Sequence, residues 1–259
     1  MSGFGQTFFL ASIFPDSNCN PGVYEIAHMN SIPPIADNLK SIQDRIQAAA
    51  ERVGRSPQEI TLIAVSKTKP MDLILQAFEA GQVDFGENKV QEMTQKQPNL
   101  PQAQWHAIGG LQRNKVKYLA PYVHLIHSLD NEKLMAEINK RAAQHGRIIN
   151  CLIQINISEE DQKGGATLPM AEHLITQLDA YPQVAIKGLM GMAEFTDAPQ
   201  VIRQQFARLK QTGEALAQHS HPRFEMRELS MGMSGDFEIA IEEGSTMVRV
   251  GSAIFGARG

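Results

Sequence analysis

The residue best suited to covalent chemistry is Lys67, which ends an apolar run of the chain. Residues 59–66 are rich in aliphatic and β-branched side chains, a composition typical of a buried parallel strand. A lysine at the C-terminal end of such a strand is poorly solvated, which lowers its pKa and favours a neutral amine that forms a Schiff base. The alternatives are a lysine that emerges into solvent or one that pairs with a carboxylate.

A second group near the end of the chain predicts an anion site. Arg249 shares its strand face with Met247 and Gly251, and the small-residue turn of Gly251 and Ser252 is suited to holding a phosphate. A Schiff-base lysine, an inward arginine and a phosphate turn together favour pyridoxal 5′-phosphate (PLP). An arginine at the pyridine nitrogen disfavours its protonation and weakens the ring as an electron sink. The alternative is a structural ion pair of Arg249 with Glu225, Glu228 or Glu243.

The pattern of the chain predicts elements that would bring these two groups together. Ile35, Leu39, Ile42 and Ile46 recur at helical spacing, which predicts an amphipathic helix ended by Gly54. Strand-like and helix-like segments then alternate until eight strands are complete. We therefore predict a single (β/α)8 TIM barrel with an extra N-terminal helix over residues 31–259, with an open doubly wound sheet as the alternative. Residues 1–30 are predicted to be a poorly ordered extension, and Met29 could be the native start.

In a barrel of this kind, functional residues lie at the C-terminal ends of the strands. Asn88 follows the second strand, where it could cap the next helix or hydrogen-bond an oxygen on a ring held by Lys67. Ser234 is expected to be the N-cap of the helix after strand seven. Since phosphate sites often form from the loops after strands seven and eight, Ser234 is grouped with the Gly251 turn. His106 is expected to be a packed core histidine.

Composition narrows the class of protein. The chain has 259 residues and a formal net charge of −4, which argues against a nucleic-acid or membrane-surface binder. Its two cysteines are too few for a disulfide framework, and no basic residues precede the short apolar stretch at residues 8–14, as a secretory signal would require. A cytoplasmic location is expected. The common metal-binding and nucleotide-hydrolysis motifs are missing, so no metal site is predicted.

Six further segments are distinctive as a set, in the order AVSK (64–67), FGEN (85–88), WHAIG (105–109), LQRNK (111–115), LSMGMS (229–234) and VRVGSAIFG (248–256). Together they resemble the pyridoxal phosphate homeostasis proteins. The resemblance extends from about residue 35 to residue 258. It implies a fold-type III barrel like the N-terminal domain of alanine racemase, with PLP held as a Schiff base on Lys67 and Arg249 at the pyridine nitrogen. It further implies Asn88 beside the ring, and around the phosphate it implies Ser230, Ser234, Gly251 and Ser252.

The resemblance to alanine racemase also raises the hypothesis of an enzyme. Racemisation needs two placed bases, and the racemases use the lysine together with a tyrosine that a second domain and a second subunit help to present. That domain is expected to be absent here, and no predicted strand end carries one of the four tyrosines, Tyr24, Tyr118, Tyr122 and Tyr181. We therefore predict a monomeric, non-catalytic PLP carrier that acts in vitamin B6 and amino-acid balance, with PLP-dependent apo-enzymes as candidate acceptors. The alternatives are a PLP-dependent racemase or lyase, and a Schiff-base aldolase.

Overall fold

The computed structural model describes residues 34–158 and 164–256, which form a closed barrel of eight parallel strands. Each strand pairs with its neighbours in sequence order, and the last strand pairs with the first. The predicted (β/α)8 barrel is thus confirmed, and the open-sheet alternative is wrong. The predicted extension, residues 1–30, lies outside the described residues. Within the described ranges, no helix combines the length and the apolar character that crossing a membrane requires.

Strands and helices alternate along the chain. The strands are β1 Thr61–Val65, β2 Asp84–Glu87, β3 Gln104–Ala107, β4 Leu125–Leu129, β5 Ile149–Gln154, β6 Val184–Met190, β7 Phe224–Met233 and β8 Met247–Val250. The helices are α1 Ile35–Arg52, α2 Met71–Glu79, α3 Val90–Lys96, α4 Val116–Leu119, α5 Glu132–Gln144, α6 Leu168–Thr176, α7 Pro199–Leu216, α8 Phe237–Glu242 and α9 Ser252–Phe255. Short 3-10 turns lie at Pro57–Glu59, Gln97–Asn99, Arg113–Lys115 and Leu178–Ala180.

Helix α1 precedes the first strand and covers the outside of the barrel. The apolar residues that predicted it, from Ile35 to Ile46, are buried, and the helix packs against α2, α8 and α9. Gly54 takes a φ of +69° just beyond the helix, a conformation that glycine adopts without steric cost. The extra N-terminal helix and its predicted end are therefore confirmed.

Alternation of side chains along the strands separates the interior of the barrel from the layer under the helices. Leu62 and Ala64 of β1 belong to the large core between the sheet and the helices. Ile63 instead joins an apolar cluster inside the barrel, whose other members are Leu125, Leu152, Met190 and Met247. Because the side-chain period of a strand is two, Val65 and Lys67 follow Ile63 on the interior side, at the C-terminal end of the barrel.

Strands β6 and β7 approach each other unusually closely at Gly188. The register shifts between Ile186 and Gly188, and Gly188 has a φ of +146°. A Cβ atom on Gly188 would lie 1.9 Å from the carbonyl oxygen of Glu228. The irregularity therefore requires a residue without a side chain, since both the backbone conformation and the space exclude one.

Gly188→Ala is expected to lower the free energy of unfolding by roughly 2–4 kcal/mol, because it combines backbone strain with a backbone clash. Chemical denaturation measures this change. The control is Gly110→Ala, since no atom lies within 4 Å of the Cβ position of Gly110. The control should stay within about 0.5 kcal/mol of the wild type. Equal stabilities of the two variants would contradict the close approach of β6 and β7.

Candidate functional site

A cavity of about 550 Å³ opens at the C-terminal ends of the strands. Its wall contains most of the residues singled out in the sequence, namely Lys67, Asn88, Ser234, Arg249, Gly251 and Ser252. Ser230, which the family resemblance grouped with them, does not line this cavity. The barrel therefore brings one candidate amine, one buried cation and the two small-residue loops to a single concave surface.

Lys67 lies between two anchored residues directly after β1. Its side chain is half-buried, so it is less desolvated than the sequence predicted. The hydroxyl of the preceding residue, Ser66, donates to Glu87 Oε1 at 2.7 Å. The backbone N–H of the following residue, Thr68, donates to Glu92 Oε1 at 2.5 Å, and Thr68 has a φ of +62°, rare for a β-branched residue. Both neighbours of Lys67 are thus held from outside the strand.

One buried ammonium joins these two anchors. Lys96 Nζ donates to the carbonyl oxygen of Ser66 at 2.8 Å, to Glu87 Oε1 at 2.7 Å and to Glu92 Oε1 at 2.6 Å. Burial raises the pKa of Glu87, whereas the hydrogen bonds from Lys96 and Ser66 oppose that rise. This cluster of charges lies between the sheet and α3, and it fixes the backbone on both sides of Lys67.

Sequence analysis assigned no role to Glu87 or Lys96, although two signals point to them. Glu92 and Lys96 are four residues apart on α3, the spacing of a helical ion pair. Glu87 neighbours the interior residue Gly86 on β2, so alternation turns its carboxylate outward under α3. A charged residue in that layer requires a charged partner, which is the physical basis for pairing it with a lysine on the covering helix.

Arg249 is buried inside the mouth of the barrel and is held by three hydrogen bonds. Its Nη1 donates to the carbonyl oxygen of Ser230 at 2.7 Å and to Ser230 Oγ at 2.6 Å, while Nη2 donates to the carbonyl oxygen of Gly191 at 3.0 Å. All three acceptors are neutral. Burial lowers the pKa of Arg249 to about 10, against the opposing charge of Asp236, so the guanidinium is still a cation at neutral pH.

The alternative of an ion pair between Arg249 and one of three glutamates is wrong. Glu225 contacts Lys187, Glu228 contacts Arg227, and Glu243 contacts Arg203. Ser230 lies beneath Arg249 rather than at the cavity surface, and it is fully buried. Its hydroxyl and carbonyl oxygens orient the guanidinium, so the serine contacts the arginine and not the open volume.

The loops after β7 and β8 meet at the cavity wall. The N–H of Gly251 donates to Ser234 Oγ at 3.2 Å. A Cβ on Gly251 would lie 3.1 Å from the carbonyl oxygen of Val65 and 3.2 Å from its Cβ, so glycine allows the end of β8 to approach the end of β1. Ser234 Oγ accepts from the N–H of Gly251 and keeps its own hydroxyl proton, which together with the exposed Ser252 suits an anion.

The predicted helix cap at Ser234 is wrong, and so is the capping alternative for Asn88. The cap position of α8 is Asp236, whose Oδ1 accepts from the N–H of Met233 at 2.5 Å, so Ser234 contacts Gly251 instead of capping the helix. The cap position of α3 is Lys89, so Asn88 is exposed at the rim of the cavity and does not cap α3. Both residues line the cavity.

Other groups relevant to the sequence analysis lie away from the cavity. In the part of the chain that the structure describes, no tyrosine lines it: Tyr122 hydrogen-bonds Thr94, and Tyr181 donates to Glu132. Tyr118 packs against a lysine on the outer surface. Across the same described residues, no group of three or more histidine, cysteine, aspartate or glutamate side chains is arranged to hold a metal ion.

Comparison with known proteins agrees with this architecture. Residues 38–259 match the family model described as alanine racemase, N-terminal domain. The pyridoxal phosphate homeostasis protein of Pasteurella multocida is 42% identical over 229 residues, which cover 86% of this chain and 97% of the relative.

Two solved structures extend the comparison. PipY of Synechococcus elongatus, solved with PLP bound, is 34% identical with a TM-score of 0.75, over 86% of this chain and 100% of that one. An alanine racemase from E. faecalis has the same fold at 13% identity, with a TM-score of 0.62 over 85% of this chain and 58% of that one.

Lys96→Met is expected to lower the free energy of unfolding by roughly 3–5 kcal/mol at pH 8, because it leaves the buried carboxylate of Glu87 without its cation. The folded-state pKa of Glu87 is already above its ordinary value of 4.5 and rises further in the variant. The folded state then binds more protons than the unfolded state, so stability falls as pH rises above about 4.5 towards the folded pKa. Denaturation at pH 5 should show a smaller loss than at pH 8.

Two companion variants test the cause of that loss. Glu87→Gln in the Lys96→Met background removes the buried charge and should restore most of the stability lost at pH 8. Lys40→Met removes the exposed lysine of the pair with Asp44 and should cost about 0.5 kcal/mol or less. A loss that is equal at both pH values and unaffected by Glu87→Gln would show that Lys96 contributes by packing alone.

Proposed function

Because the chain belongs to the family of pyridoxal phosphate homeostasis proteins, we propose that it binds PLP in the cavity at the C-terminal end of the barrel and acts in PLP homeostasis. One observation carries the proposal. Lys67, Arg249 and the contact between Ser234 and Gly251 line the same cavity of about 550 Å³. PLP bound to PipY, a relative of the same fold, supports the assignment.

The residues of the cavity fit the parts of the cofactor. Arg249 supplies a fixed cation for the pyridine nitrogen, and it disfavours protonation there since it already carries a charge. The hydroxyl groups of Ser234 and Ser252 supply donors for the phosphate, and we propose that the N–H of Gly251, which donates to Ser234 Oγ, is shared with a phosphate oxygen. Asn88 at the rim supplies an amide for an oxygen on the ring. We assign Ser230 to the orientation of Arg249 rather than to the phosphate, on the basis of its two hydrogen bonds to the guanidinium.

We propose that Lys67 holds PLP covalently as a Schiff base. The neutral Nζ adds to the aldehyde carbon, a C=N bond replaces the C=O bond, and one water molecule is released. Lys69 is the second lysine that lines the cavity among the residues that the structure describes. Lys67 is favoured because it continues the interior face of β1 and because the residues on both sides of it are anchored by Glu87 and Glu92.

We propose further that the protein carries PLP without turning over amino acids at the rate of an enzyme. When bound, PLP supplies an electron sink for carbanions, and Arg249 next to the ring nitrogen weakens it. A racemase also needs a second base, and the described tyrosines lie away from the cavity. The names of the relatives as homeostasis proteins support a carrier. A racemase or lyase is the alternative.

The cellular setting of the proposal follows from its chemistry. A carrier that keeps an aldehyde bound limits free PLP and supplies it to other proteins, so PLP-dependent apo-enzymes are the proposed acceptors. We propose a monomer in the cytoplasm, acting in vitamin B6 and amino-acid balance. Disturbed vitamin B6 and amino-acid pools in a deletion strain, without loss of one defined reaction, are the expected cellular effect.

Lys67→Ala is expected to abolish the covalent adduct that borohydride traps in the PLP-loaded protein, because the amine that forms the Schiff base is gone. Mass analysis of the peptides should find the reduced adduct on Lys67 in the wild type. The matched control is Lys69→Ala, which removes the other amine of the same cavity and should leave the adduct on Lys67. A main adduct on Lys69 or another lysine in the wild-type protein would contradict the assignment.

Pyridoxal without its phosphate is expected to bind orders of magnitude more weakly than PLP. Each charge-assisted hydrogen bond contributes about 1.5–3 kcal/mol, and the phosphate is proposed to accept several. Ser234→Ala should weaken PLP roughly tenfold or more and leave pyridoxal binding unchanged. Thr196→Val changes a hydroxyl on another wall of the cavity and serves as the control. Equal affinities for pyridoxal and PLP would exclude this phosphate site.

The PLP-loaded protein is expected to invert or eliminate common amino acids at well below about 1 per second, the lower end of typical enzyme turnover. Chiral chromatography of each amino acid after incubation measures inversion, and keto-acid formation measures elimination. Turnover at about 1 per second or above that disappears in Lys67→Ala would favour the racemase or lyase alternative.

A further inference from the structure

A continuous chain of hydrogen bonds runs through the interior of the barrel, from Arg249 at one end to Asp84 at the other. Its members, here called the interior relay, are Arg249, Ser230, His127, His106 and Asp84. Ser230 Oγ lies 2.6 Å from Arg249 Nη1 and 2.9 Å from His127 Nδ1. His127 Nε2 lies 3.0 Å from His106 Nδ1, and His106 Nε2 lies 2.9 Å from Asp84 Oδ1.

The interior relay connects the two ends of the barrel. Ser230, His127 and His106 are fully buried, and they come from β7, β4 and β3. Asp84 begins β2, its side chain is 16% exposed, and it lines a groove at the N-terminal ends of β1 and β2. The cavity that contains Arg249 is at the opposite, C-terminal ends of the strands. A polar path of this kind in an otherwise apolar interior must satisfy its own hydrogen bonds.

The chemistry of the two end groups fixes the direction of donation. Arginine only donates hydrogen bonds, and an aspartate carboxylate only accepts them. His106 therefore donates from Nε2 to Asp84, and as a neutral ring it accepts at Nδ1 from His127 Nε2. His127 then accepts at Nδ1 from the hydroxyl of Ser230, which in turn accepts from Arg249. Every imidazole nitrogen and the Ser230 hydroxyl are used along the path, with both imidazoles in the Nε2–H form.

The reverse direction of donation, in which His106 donates from Nδ1 to His127, is less favourable. A second proton on His106 would reverse His127, and the hydroxyl proton of Ser230 would lose its acceptor within the relay. The charged and titratable groups that face His106 are Asp84, His127 and His124, whose ring centroid lies 5.1 Å away. The pKa of His127 lies well below its ordinary value because burial, His106 and Arg249 all disfavour a charge there. A neutral pair of histidines is thus the state that fits the surroundings.

We propose that Ser230, His127, His106 and Asp84 are positioning residues that hold the Arg249 guanidinium in one orientation. Both imidazoles are neutral, and every hydrogen bond of the relay is donated in the direction of Asp84. Its consequence for the cofactor rests on the proposed function: the environment of the pyridine nitrogen depends on a carboxylate at the far end of the barrel. The three inner residues act through Arg249 and touch no ligand in the cavity.

The first test uses the protein without cofactor. Nitrogen-15 NMR of the imidazole rings at pH 7.5 should show His106 and His127 both neutral, with the proton on Nε2. Asp84→Ala should change the signals of both rings and of the Arg249 side chain. Asp84→Asn, whose amide oxygen can accept the same hydrogen bond, should retain both Nε2–H forms. A charged ring, or an Nδ1–H form in the wild type, would overturn the proposal even if no variant folds.

The second test uses the PLP-loaded protein. His127→Phe and Asp84→Ala should shift the pH midpoint of the visible absorption band by about half a pH unit or more, a roughly threefold change in proton affinity. The control is Ser128→Ala, which alters a buried hydroxyl next to His127 that has no hydrogen-bond partner within the described structure. Shifts in the two relay variants no larger than in the control would contradict a role in positioning Arg249.

The two tests separate this proposal from the proposed function. If the ring nitrogens are as expected but the protein does not bind PLP, the interior relay exists and the PLP assignment is wrong. If the protein binds PLP but the rings are charged or reversed, the PLP assignment is unaffected and the relay is wrong.

Discussion

The parallel pairing of β8 with β1 is the interaction on which the candidate site depends. It places Arg249 opposite Ile63 and Val250 opposite Ala64, so the last strand of the barrel lies directly beside the strand that leads to Lys67. Gly251 makes this approach possible at the strand ends, where a side chain would crowd Val65. Lys67 is far in the sequence from Arg249 and the small-residue loop that directly follows it, and they become neighbours only because the barrel closes.

The closed barrel also contains charged side chains that are shielded from water and need partners within the protein. On the outer side of the sheet, Lys96 donates to the carboxylates of Glu87 and Glu92 and fixes the backbone around Lys67. Inside the barrel, Arg249 is satisfied by neutral oxygens and by the relay through His127. Such groups contribute little net stability, since desolvation offsets their attraction, but they fix geometry strongly because losing one partner leaves a buried charge. A site that presents one amine and one cation to the same ligand needs such rigidity.

The sequence predicts the parts of this arrangement that depend on local patterns. The apolar run before Lys67 and the alternation of Met247, Arg249 and Gly251 are enough to predict β1 and the interior face of β8. The sequence groups Ser234 with the Gly251 turn but wrongly assigns its side chain to a helix cap, because cap preferences are local and the competing partner comes from another strand. The partners of Glu87 and the order of the interior relay were likewise missed. Both join residues from several strands and helices, so only the closed fold brings them together.

The most direct measurement of the central claim is a crystal structure of the protein with PLP. The account predicts electron density continuous with Lys67 Nζ, the pyridine nitrogen facing Arg249, and the phosphate on Ser234 Oγ and the N–H of Gly251. PLP bound through another lysine, or bound outside the cavity at the C-terminal end of the barrel, would contradict it.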